Sequence, residues 1–215
     1  MLVQQIMLEE GKFWLEKKCK LLLNIFFCFI LSSFSSDTKI NEISKFLSDI
    51  TSLSSEFVQI DSNGNSETGM IFMQKPGKLR VEYTQPNPNL IISDNRKLVH
   101  INKKIPYINV YKMSDIPIKM LVSEKFLMKD YKIIDYQNQN KIVEIELKEK
   151  ENQKLESIRL IFEEKPLILK KWIVKDGTGT QTVIFLKNLS LNNKLNQKLF
   201  RIEDPSKVPL GKKVY

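Results

Sequence analysis

The chain has 215 residues, of which 42% are hydrophobic, and this length accommodates one domain of ordinary size with its own core. A net charge of +9 would suit a nucleic acid or an anionic lipid surface. The 34 basic residues are scattered, however, and no basic stripe is interleaved with aromatic residues as in a single-strand binding platform. Composition therefore does not support a nucleic-acid partner, and we expect none.

Residues 1–35 have the layout of a secretory signal peptide. Lys17–Lys20 is a basic region, and Leu21–Leu31 is an apolar run of eleven residues. A bilayer span needs about 20 residues, so this run is short for an anchor. Small residues in Ser33–Ser35 predict cleavage directly after that stretch, which leaves a domain over residues 36–215. An uncleaved N-terminal anchor is the alternative, and Met7 is a second candidate start.

The two cysteines of the chain, Cys19 and Cys28, both lie within the expected leader. A mature chain without them would contain no disulfide and no thiol chemistry. A lipoprotein cleavage site has small residues before its cysteine, whereas the bulky Phe27 precedes Cys28. We therefore do not expect this chain to be lipidated.

An amphipathic helix is predicted over Asp37–Thr51. Ile40, Ile43, Leu47 and Ile50 recur at three- and four-residue spacing, which places them on one face of a helix. The same pattern fits a helix packed on a solid core and a helix that covers a cavity. The sequence leaves both possibilities open.

From Ser54 onward the chain reads as a series of short strands separated by turn signals, with one short helix at Ile118–Val122. Alternating residues such as those of Leu79–Tyr83 indicate strands with one buried face. The candidate strands are Phe57–Ile60, Gly69–Gln74, Leu79–Tyr83, Leu90–Ser93, Leu98–Asn102, Tyr107–Met113, Tyr131–Tyr136, Ile142–Lys148, Ser157–Phe162, Leu167–Val174 and Gln181–Leu186. The tail from Phe200 to Tyr215 is expected to be irregular.

These elements predict a mainly β fold of the α+β class, a single antiparallel sheet with a few helices. So long a sheet cannot stay flat, because strands twist and the sheet curls or closes. We expect a strongly curved sheet, an incomplete β-barrel, whose concave side is covered by a helical lid. The space between sheet and lid can then be an apolar pocket.

Catalytic motifs are missing from the sequence. His100 is its single histidine, and no nucleophile elbow, zinc-binding motif or phosphate-binding loop occurs. We therefore predict that the protein is not an enzyme and uses no metal and no cofactor. A hydrolase that relies on carboxylates alone is not excluded by residue type, although no pair of carboxylates stands out.

Several motifs follow one another in the order seen in a known family. The chain resembles the LolA family, the outer-membrane lipoprotein carrier proteins of Gram-negative bacteria, over roughly residues 38–211. The matching pieces are Phe57-Val58-Gln59 with Asp61 and Gly64, Lys75-Pro76, Leu79–Tyr83, Gln85-Pro86, Leu90–Lys97, Ile116–Leu121 and Leu169–Val183 with Trp172.

The resemblance implies a monomeric periplasmic carrier without a cofactor. It implies acylated lipoproteins as cargo, an inner-membrane ABC complex as donor, and an outer-membrane receptor or the outer membrane itself as acceptor. In the family an arginine before the proline of the second strand turn bonds carbonyls of the lid. Lys75 stands at that position here, and we expect it to act as a lid latch of different shape, because lysine lacks the planar fork of arginine. An exposed turn lysine is the alternative.

Lipid-binding residues are expected on the pocket side of the strands and on the lid. They are Phe57, Ile71, Met73, Leu79, Val81 and Ile91 on strands, with Leu47, Ile50, Met120 and Leu121 on the lid. The leading hypothesis is transfer of lipoproteins from the inner to the outer membrane. The alternative is a periplasmic sensor or adaptor of the same fold that binds a lipid or a partner without transporting it.

Overall fold

The computed structural model describes residues 37–95, 97–104, 107–112, 118–151 and 155–201. The predicted signal peptide, both cysteines, Ile116 and the tail beyond residue 201 lie outside the described residues. The backbone divides into two compact units, Met1–Ile43 and Ser44–Tyr215. The described part of the first unit, residues 37–43, is helical, and the second unit contains every strand described below.

Helix α1 covers residues 37–49 and confirms the predicted amphipathic helix. Ile43 and Leu47 are buried, and so is Ile50, which directly follows the helix. On the polar side, Lys45 and Asp49 form an exposed ion pair at 2.6 Å with the i, i+4 spacing of helix neighbours.

Eleven strands follow, as the turn signals predicted. They are β1 Ser52–Ile60, β2 Ser66–Gln74, β3 Lys78–Tyr83, β4 Asn89–Asp94, β5 Lys97–Asn102, β6 Tyr107–Lys112, β7 Tyr131–Gln139, β8 Ile142–Glu149, β9 Leu155–Glu163, β10 Ile168–Asp176 and β11 Gln181–Leu191. Helix α2 covers Lys119–Val122, and two 3₁₀ helices cover Met128–Asp130 and Gln197–Phe200. No helix in the described ranges combines the length and the apolar character needed to cross a bilayer.

All eleven strands join one antiparallel sheet in the order β6-β5-β4-β3-β2-β1-β11-β10-β9-β8-β7. Ten antiparallel pairings link the strands, so the two edge strands β6 and β7 run in the same direction. Closing the sheet would require a parallel ladder between these two strands. The sheet is open, as the sequence predicted.

The sheet is also strongly curved. Tyr111 on β6 and Trp172 on β10 line the same cavity, although seven strand spacings separate their strands. At about 4.8 Å per spacing, a flat sheet would put these strands roughly 34 Å apart. Only a sheet that curls back on itself brings the two side chains to one cavity.

Candidate functional site

The concave side of the sheet encloses an apolar cavity of about 450 Å³. This volume lies within the range of small-molecule binding pockets. Eight strands, β1 to β6 with β10 and β11, and one residue directly before α2 contribute to its wall. The wall residues are Phe57, Gln59, Ile71, Leu79, Val81, Tyr83, Ile91, Leu98, His100, Tyr111, Ile118, Trp172, Val174 and Ile184. Ten of these side chains are wholly hydrocarbon apart from the indole nitrogen of Trp172, so the cavity is suited to an apolar ligand.

Two aromatic side chains of the wall, Phe57 and Tyr83, pack together over a glycine of β2. Gly69 pairs with Phe57 on one side and with Tyr83 on the other, and the two aromatic rings meet edge to face at 5.2 Å. A Cβ atom at Gly69 would lie 2.1 Å from the carbonyl oxygen of Glu82 and 2.8 Å from the Phe57 ring. The rings therefore cover the strand where it has no side chain of its own, which is a known way to stabilise glycine in a sheet.

One polar pair lies in this wall. The Tyr83 hydroxyl donates a hydrogen bond of 2.9 Å to Oε1 of Gln59. Burial, with the nearby charge of Glu67, raises the pKa of Tyr83 to about 12, and the bond to Gln59 opposes this rise. The phenol is therefore neutral at every physiological pH.

The turn between β2 and β3 connects the sheet to both helices. Nζ of Lys75 donates to the carbonyl oxygen of Leu47 at 2.8 Å, and the backbone N–H of Gly77 donates to the carbonyl oxygen of Val122 at 2.7 Å. Leu47 lies in the last turn of α1, where helix carbonyls have no partner within the helix. A cation at this end also complements the helix dipole.

Lys75 is half-buried in this position. Burial lowers the pKa of its ammonium group, and the charge of Asp49 partly counters that effect. A cleft of only about 10 Å³, the space of roughly one water molecule, adjoins Lys75 and is lined also by Ile50, Met73 and Leu121. The lid therefore packs closely against the sheet at this end.

Two further contacts attach the end of α1. The Phe46 ring meets Phe162 of β9 edge to face, with 5.5 Å between ring centroids. Oγ of Ser48 donates to the carbonyl oxygen of Phe126 at 3.1 Å. The C-terminal turn of α1 thus touches both the sheet and the segment that follows α2.

The predicted lipid-binding residues fall into two sets. Five of them line the cavity: Phe57, Ile71, Leu79, Val81 and Ile91. The other five are buried but are not among its lining residues: Leu47, Ile50, Met73, Met120 and Leu121. For both sets, contact with lipid remains a prediction.

None of the predicted lipid-binding residues lies in the second half of the sheet, although Trp172 belongs to a family motif. Trp172, Val174 and Ile184 reach the cavity because β10 and β11 follow β1 in the sheet. Trp172 and Val174 lie between Lys171 and Lys175 with a spacing of two, which places them on one side of their strand, whereas Ile184 lies between the apolar Val183 and Phe185 and has no such signal. Which side becomes the cavity wall depends on the pairing of β1 with β11, for which the local pattern gives no signal.

The fold and the cavity together define the class of this protein. It is a protein in which an open, curved antiparallel sheet surrounds an apolar cavity. The family model described as "Outer membrane lipoprotein carrier protein LolA" matches residues 48–203. Because this match covers well over half of the chain, the protein belongs to the LolA family.

Curated relatives carry the same description. An outer-membrane lipoprotein carrier protein of Nitrosomonas europaea is 26% identical over 147 residues, which is 66% of this chain and 70% of the relative. One of Nitrosospira multiformis is 23% identical over 203 residues, covering 90% of this chain and 96% of the relative. Among solved structures, a LolA superfamily protein from Nitrosomonas europaea matches 72% of this chain and 91% of its own, with 10% identity and a TM-score of 0.41.

Proposed function

We propose that the mature protein is a periplasmic carrier that holds acyl chains of lipoproteins in its cavity and transfers them from the inner to the outer membrane. Membership in a family of lipoprotein carriers supports a binding role rather than an enzymatic one. The donor would be an inner-membrane ABC complex, and the acceptor an outer-membrane receptor or the membrane itself. Residues 1–35 would direct export and would be removed.

The observation that carries this proposal is the apolar cavity. An engineered cavity of about 150 Å³ holds one benzene molecule. By that measure, the cavity of about 450 Å³ has room for roughly eighteen carbon atoms, the size of one long acyl chain. The space and its lining thus match a single fatty chain.

A carrier must bind its cargo and also release it, so the free energy gained by burying an acyl chain has to be partly offset. Each buried methylene gains about 0.8 kcal/mol, so one long chain gains on the order of 10 kcal/mol. Leu47, Met120 and Leu121 of the lid are buried against the rest of the protein. If cargo displaces these lid contacts, their loss offsets part of the gain, and the carrier can release its cargo.

Lys75 is the proposed latch of this lid. Its bond to the Leu47 carbonyl joins the β2–β3 turn to α1, so opening of the lid would break it. The half-buried ammonium group would then return to water, which lowers the cost of opening. This bond is a smaller obstacle than a bidentate arginine contact would be.

Trp172 offers a direct test, since it is the single tryptophan of residues 36–215 and lines the cavity. A triacylated peptide with brominated acyl chains is expected to quench its fluorescence, because bromine must come close to the ring. Transfer of the labelled peptide to acceptor vesicles is then followed as recovery of the emission. Quenching without recovery would favour the sensor or adaptor, and absence of quenching would refute acyl binding in this cavity.

A further inference from the structure

The wall of the cavity is not uniformly apolar. Four polar side chains reach it, namely Gln59, Tyr83, His100 and Tyr111. Gln59 and Tyr83 are joined to each other, whereas an acyl chain alone would need no polar partner. The pair therefore suggests a ligand that has a polar group in addition to its hydrocarbon chain.

The hydrogen bond between the pair orients the amide of Gln59. Tyr83 donates to Oε1, so the carbonyl oxygen of Gln59 is occupied and its amide nitrogen retains two N–H donors. In the described part of the chain, no protein group accepts from that nitrogen. Gln59 is half-buried, and no buried side-chain nitrogen or oxygen among the described residues lacks a partner, so this nitrogen is accessible from the cavity. A ligand that supplies an acceptor can take the place of water at these donors.

The backbone holds this pair in place. Gln59 lies within β1, where it is paired with Glu67 on β2 and with Ile184 on β11. The Tyr83 ring is held by its contact with Phe57 across Gly69. Gln59 is the second-to-last residue of β1 and Tyr83 is the last residue of β3, and each is paired with a residue of β2. The donor therefore has a defined position in the wall.

A neighbouring charge restricts the kind of acceptor. Glu67 lies opposite Gln59 in the ladder, accepts a hydrogen bond from Asn87 at 3.2 Å, and its negative charge raises the pKa of Tyr83. A carboxylate that disfavours a phenolate at this place also disfavours an anionic ligand group. The acceptor that fits is neutral.

We propose that Gln59, positioned by Tyr83, is a recognition site for the neutral carbonyl of an ester- or amide-linked acyl chain. The inference rests on the proposed function, because the remainder of the chain would occupy the apolar cavity. Every acyl chain of a lipoprotein carries one such carbonyl at its head, and a free fatty acid carries a carboxylate instead. The site would thus fix the depth of the chain and select linked acyl groups over free fatty acids.

Three probes of equal chain length separate the contributions. Methyl palmitate offers a neutral carbonyl, palmitate an anionic one, and hexadecane none. Each is added to the mature protein, and its affinity is measured by displacement of a fluorescent apolar dye. The expected order is methyl palmitate first, with an advantage of about three- to tenfold over hexadecane, the range of one net hydrogen bond.

Two variants assign this advantage to the pair. Gln59→Leu removes the donors and keeps a similar volume, so it is expected to abolish the advantage of methyl palmitate while binding hexadecane as well as before. Tyr83→Phe removes only the hydroxyl that orients the amide and is expected to reduce the advantage. The double variant should lose no more than Gln59→Leu alone, because Tyr83 acts through Gln59. Gln181→Leu, at an exposed position of β11, is the matched control.

The outcomes separate this inference from the proposed function. If Gln59→Leu is folded and keeps the preference for methyl palmitate, or if palmitate binds better than its ester, the carbonyl site is refuted and acyl carriage stands. If none of the probes and no acylated peptide binds, the proposed function itself fails. Comparison of an acylated peptide with a phospholipid of the same chains shows which source of the carbonyl is preferred.

Discussion

At the scale of single residues, Lys75 is the clearest link between sequence and proposed mechanism. Its position was identified through resemblance to the LolA family, and the structure shows which carbonyl it bonds. No local pattern could have named Leu47 as the partner, because the two residues are 28 positions apart and strands β1 and β2 lie between them. A contact between a turn and a helix end depends on how the sheet curves, which is a property of the whole sheet.

Replacing Lys75 by leucine tests the latch. We expect Lys75→Leu to change the rate of acyl-peptide transfer and to lower the free energy of unfolding by about 1–2 kcal/mol, because the Leu47 carbonyl loses a partner. Vesicle transfer assays and urea unfolding measure the two effects. The exposed Lys97→Leu is the control. A transfer rate equal to that of the wild type would remove Lys75 from the mechanism.

Glu82 compensates buried positive charge on the other face of β3. Arg80 is 6% exposed and bonds Glu82 at 2.9 Å, and Lys103 bonds the other carboxylate oxygen at 2.8 Å. Burial raises the pKa of Glu82, but the hydrogen bonds and charges of Lys103 and Arg80 outweigh it, so the pKa is lowered overall. Arg80 also donates to the Leu199 carbonyl, which ties the last 3₁₀ helix to the sheet.

Glu82→Gln is expected to destabilise the protein by about 3 kcal/mol at neutral pH, because two poorly solvated cations lose their counter-charge. The pKa of Glu82 in the folded protein lies below its ordinary value of 4.5, so the unfolded state binds more protons as the pH falls between these two values. The stabilisation by Glu82 is therefore lost as the pH falls through its folded pKa. Urea unfolding of both proteins from pH 7 to pH 3 should show the difference narrowing. Glu163→Gln, which disrupts an exposed pair with Lys170, should change stability by less than about 1 kcal/mol. A gap between Glu82→Gln and the wild type that does not depend on pH would contradict this explanation.

At the scale of secondary-structure elements, β2 shows what periodicity can and cannot predict. Gly69–Gln74 is apolar at nearly every position, so alternation alone did not decide its inner face. Its pairing with β1 and β3 does, and it places Ile71 in the cavity wall. Strand β3 was simpler, because its charged residues Arg80 and Glu82 marked the face opposite to Leu79 and Val81.

The missing side chain of Gly69 is a sharp test of this part of the wall. Gly69→Ala is expected to lower the free energy of unfolding by more than 2 kcal/mol, because the new methyl group meets backbone on one side and the Phe57 ring on the other. Gly64→Ala adds a methyl group in open space at φ +82 and should cost only about 1 kcal/mol of backbone strain. Thermal unfolding of both variants measures the contrast, and equal losses would argue against crowding at Gly69.

At the scale of the whole molecule, the sequence predicted eleven strands and an open sheet but not the volume that the sheet encloses. Short strands with turn signals are local features, and the strand number limits how the sheet can close. The cavity depends on curvature, on the pairing of the first strand with the last, and on the size of every wall side chain. These quantities are not encoded in any single segment.

Cargo with three acyl chains needs more space than the cavity offers. We therefore expect a triacylated peptide to loosen α2 and the end of α1, whereas a peptide with one acyl chain leaves them in place. Amide hydrogen exchange of Lys119–Val122 and of residues 44–49 measures this difference. Equal protection with both peptides would mean that only one chain enters the protein.

The parity of the strand count has a consequence for such swelling. Since β6 and β7 run in the same direction, they cannot pair as the other neighbours in the sheet do, and each is paired with one neighbour only. A bulky ligand that widens the cavity can move these two edge strands apart without breaking any of the ten strand pairings. We therefore expect the protein to gain volume by unrolling at its two edges, at the expense of packing between the sheet and the helices.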